Sequence, residues 1–208
     1  MLKRITLENF FSFGEPTTIE LNPGANLLVG INGSGKSNFL KAIRLLHEAV
    51  VGKGFEKTFL QEWGGFANVA NVSGGAKDYI KLSYDVIHDL GQSHLTKYIL
   101  IIHNLGYGFY SLEEKIFTAI GNNQEVLVLK RKDDVCEYAW QMEDNASTGA
   151  EWRNSSTDTG VSLVRTESIF GQRNSFNISE SSAVYRCASR LSIYSSFNTS
   201  SKSIIRQP

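Results

Sequence analysis

Apolar and polar positions alternate along the first twenty residues, a period that predicts strands. Residues 2–10 read as a first strand with Ile5 and Leu7 on one face, residues 11–15 as a turn, and residues 17–21 as a second strand. Asn22-Pro23-Gly24 has turn chemistry, and the apolar run at 25–29 has the character of a buried third strand. The period then changes. Phe39, Leu40, Ile43, Leu46, Ala49 and Val50 recur at helical spacing, which predicts an amphipathic helix opening at Lys36. Beyond a Gly/Asn-rich stretch at 63–75, β-leaning runs return at 79–87, 98–103, 108–117, 125–130 and 135–142, separated by turn signals. No helical period interrupts these runs, so they predict an antiparallel meander rather than βαβ units. Residues 144–160 are polar and loop-like, and the remainder is rich in Ser and Asn with weak helical signals. The expected organisation is an N-terminal lobe over 1–143, carrying the antiparallel layer, and a polar, partly helical segment over 144–208.

Between the third apolar run and the helix lies Gly30-Ile31-Asn32-Gly33-Ser34-Gly35-Lys36-Ser37-Asn38. It fits the phosphate-binding pattern G-x-x-x-x-G-K-S/T in the context that pattern requires: strand, glycine loop, helix start. Gly33 and Gly35 let backbone N–H groups approach phosphates without an intervening Cβ, and Gly30 opens the nucleotide-binding stretch. The helix start adds unpaired N–H groups and the positive end of its dipole. Lys36 supplies a mobile charge for the β- and γ-phosphates, Ser37 a hydroxyl for Mg²⁺, and Asn38 a donor toward the α- or β-phosphate. Asn32 and Ser34 complete the cradle. ATP and Mg²⁺ are therefore the expected ligands.

Composition narrows the picture modestly. Lys plus Arg and Asp plus Glu both total 21, so no whole-chain basic field points to nucleic acid. Cys136 and Cys187 are far apart and outside any metal spacing; they read as buried thiols, which suits the cytoplasm. The histidines at 47, 88, 94 and 103 form no H-x-x-x-H pair. No apolar stretch approaches the ~20 residues that span a bilayer, so no membrane partner is expected.

The residues also carry a resemblance. Residues 1–14 (MLKRITLENFFSFG), 18–29 (TIELNPGANLLV) and 30–46 (GINGSGKSNFLKAIRLL) resemble the N-terminal part of AAA-type ATPases related to RecF, SMC and ABC heads. Residues 61–65, 167–173 and 193–197 resemble it more loosely. The resemblance implies an α/β P-loop NTPase lobe of the ABC/SMC-head type. It also implies a loop glutamine that touches Mg²⁺ and the attacking water, for which Gln172 is the best match and Gln61 the runner-up. The complete family enzyme would hydrolyse ATP to ADP and phosphate between two heads placed face to face, in a DNA-directed role such as repair or defence.

The family's second half should add a serine-glycine signature and an apolar strand ending in Asp-Glu. Neither follows Gln172, and the run at 126–129 leads into Lys130-Arg131-Lys132 instead. The segment 72–76 (VSGGA) mimics the signature but reads as a turn before a strand. The chain therefore reads as truncated, able to cradle phosphates but not to complete a turnover site alone. Two alternatives stay open: a nucleotide-binding interaction module without hydrolysis, and a small-molecule kinase, which would need parallel strands after the loop. A GTPase would need N-K-x-D and D-x-x-G, and neither is present.

Overall fold

The computed structural model describes residues 1–51, 54–73, 75, 77–87, 95–120, 124–140, 151–154, 163–172 and 179–192. The strands are β1 (Leu2–Glu8), β2 (Thr17–Glu20), β3 (Tyr79–Ile87), β4 (Leu95–Gly106), β5 (Phe109–Ile120), β6 (Gln124–Lys132), β7 (Val135–Trp140) and β8 (Glu151–Asn154). They form one eight-stranded sheet in the order β2-β1-β3-β4-β5-β6-β7-β8. Every neighbouring pair is antiparallel. The meander expected from the strand spacing is present, and β8 extends it into a stretch that reads as loop from its polar residues. The rest of 144–160 and the tail over 193–208, including the 193–197 segment, lie outside the described residues.

Helices cover one face of the sheet, as is usual where an antiparallel sheet buries a single side. Helix α1 (Lys36–Val50) buries Phe39, Ala42, Leu45, Leu46, Ala49 and Val50. The apolar stripe is thus rotated from the expected one: Leu40 is half exposed and Leu45 replaces it in the core. Each large side chain so buried contributes on the order of 1.5–3 kcal/mol. A π-helical turn (Lys57–Glu62) and a short α2 (Phe66–Val69) follow, and α3 (Ser179–Ser189) packs on α1 and on β3, β4 and β5. Tyr84 of β3 ties the layers together, its hydroxyl donating to the Ala42 carbonyl of α1 at 2.9 Å.

One expectation is corrected. Residues 25–29 do not form a strand, and none of the described strands pairs with them. Leu27 and Val29 are 87% and 82% exposed, and Ile31 beyond them 83%. An apolar run becomes a buried strand only with hydrogen-bonding neighbours at its edges and a covering layer on its faces. Here the sheet closes on β1 and β2. The chain then leaves it through an Asx-bonded turn, in which Asn26 Oδ1 accepts from the Asn22 N–H at 2.8 Å and Asn26 Nδ2 donates to the Asn22 carbonyl at 3.1 Å.

Candidate functional site

The glycine loop at 30–38 has the backbone its sequence requires. Gly33 and Gly35 sit at φ 87° and 88°, in the left-handed region that side-chain-bearing residues rarely occupy. A Cβ on Gly30 would lie 2.7 Å from Ser34 Oγ, so this glycine is needed for close approach within the loop. The Lys36 ammonium folds back over the loop, donating to the carbonyls of Gly30 (2.7 Å) and Ile31 (2.8 Å) and to Ser34 Oγ (3.1 Å). Gly35 is the N-cap of α1, which has no side-chain cap and no acidic residue in its first turn. The uncompensated positive end of the helix dipole therefore faces the loop, an arrangement that suits an anion. Gly30, Asn32, Gly33, Ser34 and Ser37 are exposed, and Asn38 is half-buried.

A second element shares the site, one that the residue pattern alone did not single out. The β1–β2 turn packs onto the loop: a Cβ on Gly35 would lie 2.9 Å from Ser12 Oγ and 3.2 Å from the Phe13 ring. Asn38 Nδ2 donates to Ser12 Oγ at 3.0 Å. The turn holds two non-glycine residues at positive φ, Asn9 at 53° and Phe11 at 48°. Its available signal was the aromatic run Phe10-Phe11-Ser12-Phe13, too dense for an ordinary solvated turn.

Gln172 is a different matter. Its carboxamide closes the 163–172 segment on itself: Oε1 accepts from the Val164 N–H at 2.7 Å and Nε2 donates to the Glu167 carbonyl at 3.0 Å. Gly171 beside it would place a Cβ 3.8 Å from the Ala49 carbonyl, at the C-terminal end of α1. Ser37 stands at the other end, twelve residues away, or about 18 Å at 1.5 Å per residue. The structure therefore places Gln172 toward the opposite end of α1 from Ser37. Gln61 lies exposed on the π-helical turn. That turn is anchored toward the middle of α1 by the Arg44–Glu62 ion pair (2.5 Å).

What holds the 163–172 segment is a buried polar cluster. Glu114 of β5 and Arg131 of β6 are both inaccessible to solvent and pair at 2.6 Å. Glu114 also accepts from the hydroxyls of Tyr98 (2.5 Å) and Ser168 (2.8 Å) and from the Ile169 N–H (2.9 Å). Arg131 donates to the carbonyls of Asp133, Glu167 and Val164. Burial, and then the neighbouring Glu114 carboxylate, push the Tyr98 phenol well above its ordinary range. The Glu167 carboxylate accepts from the N–H groups of Phe55 (2.9 Å) and Glu56 (3.2 Å), just past α1. Burial raises its pKa in spite of those two bonds. Of the two thiols, Cys136 is pushed up to about 12, chiefly by burial, so it is no nucleophile at neutral pH.

Comparison with known proteins bears on the same N-terminal stretch. Residues 1–57, which hold β1, β2, the glycine loop and α1, match the family described as the RecF/RecN/SMC N terminal domain. These residues are similar to an SMC-type N-terminal domain. The chain is similar to the chromosome partition protein Smc of Mycolicibacterium paratuberculosis, 52% identical over 42 residues, which is 20% of this chain and 4% of the relative. It is similar to Smc of Halothermothrix orenii, 39% identical over 82 residues, 39% of this chain and 6% of that one. A third relative is the structural maintenance of chromosomes protein 3 homolog of Plasmodium falciparum, 47% identical over 45 residues. A solved structure concerned with ATP-driven dimerization and DNA-stimulated activation of SMC ATPases superposes with a TM-score of 0.39 at 16% identity, covering 60% of this chain and 71% of that one. The matched region is about one twentieth of the curated relatives' length. The match over residues 1–57 and the antiparallel layer are together consistent with the N-terminal lobe of a P-loop NTPase. No helix among the described residues is long and apolar enough to cross a membrane.

Proposed function

We propose that this chain binds MgATP through residues 30–38 as the nucleotide-holding lobe of an SMC/RecF-like ATPase. The observation that carries this reading is the loop itself. Two glycines at positive φ lead into an uncapped helix start, and the Lys36 ammonium lies folded over the loop. The backbone N–H groups of 33–38 would face the β- and γ-phosphates, and Lys36 would exchange its carbonyl partners for phosphate oxygens. Ser37 presents an exposed hydroxyl on the first helical turn, a hard oxygen of the kind Mg²⁺ accepts beside phosphate oxygens and waters. Mg²⁺ there would neutralise phosphate charge.

The complete protein would hydrolyse ATP between two heads facing each other, act on DNA and reside in the cytoplasm. DNA enters because the relatives are named for chromosome partition and maintenance. For this chain taken alone, binding without hydrolysis is the better reading. The apolar run of β6 leads to a buried guanidinium paired with Glu114, not to a metal-binding carboxylate, and Gln172 stands at the wrong end of α1. The kinase alternative called for parallel strands after the loop, and β3 to β8 are antiparallel. The test is calorimetric titration with MgATP, alongside phosphate release. Binding at micromolar affinity without release fits this reading, and absence of binding rejects it.

A further inference from the structure

The β4–β5 hairpin ends in an apolar knob on a tightly specified backbone. Gly106 pairs with Phe109 across a two-residue turn, Tyr107-Gly108, whose φ values are 51° and 83°. Positive φ at both central residues gives the mirror-image turn whose twist matches that of its strands. Tyr107 carries a Cβ, so its place in the left-handed region is strained. Gly106 before it stands at φ 79°, and its N–H donates to Asn104 Oδ1 at 3.0 Å. Strain that the surroundings hold in place concentrates where a group is presented to a ligand or partner. What this turn presents is Leu105, Tyr107 and Phe109, which are 55%, 102% and 69% exposed. Aromatic side chains on a fixed backbone lose little freedom on binding, which makes them anchors of interfaces.

Charge around the tip narrows the occupant. Asp78 lies beside it, its carbonyl accepting from the Asn104 N–H at 2.8 Å. The β6–β7 turn, with Asp133 and Asp134, is at the same end of the sheet, the Asp133 N–H donating to the Leu112 carbonyl at 3.1 Å. A nucleic acid or an acidic lipid surface would meet those carboxylates. Exposed Lys132 and Arg165 stand at the same end, where the Arg165 carbonyl accepts from the Leu112 N–H. A rim of both signs lets the acids of one copy face the bases of another. The chain's equal totals of 21 basic and 21 acidic residues leave no net repulsion between copies. Covering three such side chains on each of two copies removes on the order of 1,000 Å² of surface, about the least that a specific interface buries.

We infer that the β4–β5 tip is a self-association surface, on which a second copy of this chain packs its own Tyr107 and Phe109 about a two-fold axis. The contact is weak and reversible, forms without nucleotide, and does not rest on the phosphate-loop reading above.

The experiment is sedimentation velocity of the 208-residue chain over a concentration series, for wild type, Y107S/F109S and K36A, with and without MgATP. Wild type is expected to pass from monomer to dimer with a midpoint of about 10–100 μM, as suits an interface of minimal area. K36A should behave as wild type, and MgATP should not be required. Y107S/F109S should associate at least about tenfold more weakly, because exposed anchors carry most of such a contact, with a thermal melt equal to wild type. If its melt is lowered instead, covalent capture decides: Y107C should be joined to a second copy by a short bismaleimide, and Y185C, on exposed α3, should not. A wild type that stays monomeric throughout overturns the inference. So does a dimer that Y107S/F109S keeps at full strength, one that forms only with MgATP, or one captured through Y185C and not through Y107C.

Discussion

Arg131 Nη1 lies 2.6 Å from Glu114 Oε2, with both side chains wholly removed from solvent. The pair joins adjacent strands, Glu114 standing opposite Arg131 in the β5–β6 register. Its remaining hydrogen bonds reach across to residues 164–169, so the cluster fastens that irregular segment to the meander.

Removing one partner leaves the other charge buried and uncompensated. R131M is therefore expected to lose about 3–5 kcal/mol of folding stability, read from urea unfolding at neutral pH. The double variant R131M/E114L should recover much of that loss, because a volume-matched apolar pair leaves no buried charge. A single-variant loss below about 1 kcal/mol would contradict the burial described here.

K36A should abolish the nucleotide's effect on thermal unfolding while leaving the unliganded melt near wild type. The Lys36 ammonium is bonded only to its own exposed loop, so its removal costs the fold little. Differential scanning fluorimetry with and without MgATP separates the two. A shift on ATP addition equal to that of wild type would be incompatible with the site.

G35A places a methyl group against Ser12 and Phe13 at a backbone with φ 88°. The conformation alone costs about 1–2 kcal/mol, and relief requires either the turn or the loop to move. Nucleotide affinity should fall more than global stability does. Chemical-shift perturbation of the residue 9–14 amides would detect the displaced turn, and unperturbed amides would refute the contact.

Q172A should lower stability by about 1 kcal/mol through lost bonds to the 164–168 backbone, without altering how strongly nucleotide binding depends on Mg²⁺. Parallel ATP titrations in Mg²⁺ and in EDTA decide this. A Mg²⁺ effect lost in Q172A would restore the glutamine to the metal and require the segment to move along α1.

Glu8 gives a pH signature. Burial opposes its ionisation, but the Tyr79 hydroxyl and Lys77 ammonium outweigh it and hold its carboxyl below the ordinary 4.5. Because the folded pKa is the lower one, its contribution is present above pH 4.5 and is lost as pH falls through the depressed value. E8Q should be less stable than wild type at pH 7, and the gap should close on acidification. A gap that widens in acid would reverse the assignment.

Much of this was legible in the chain. Gly33 and Gly35 announce their conformations by residue type, and the strands from β3 to β7 by their period of two. The same period held an unread signal. Glu114 falls on the face of Leu112 and Ile116, and Arg131 on the face of Leu129, so each was marked as inward-facing despite its charge. The run at 25–29 misled because apolar character states a demand for burial without saying whether a neighbour meets it.

The sequence by itself determined the glycine loop, the helix start and the antiparallel layer, because left-handed glycines, helix starts and strand alternation are set by residues a few positions apart. The tertiary structure alone decided that Ser12 lies on Gly35, that Glu114 and Arg131 clamp a segment fifty residues from Glu114, and that Gln172 sits at the far end of α1 from Ser37. Those relationships depend on how elements distant in the chain share one hydrophobic core. Packing of that kind is a property of the whole set of contacts, which no local pattern encodes.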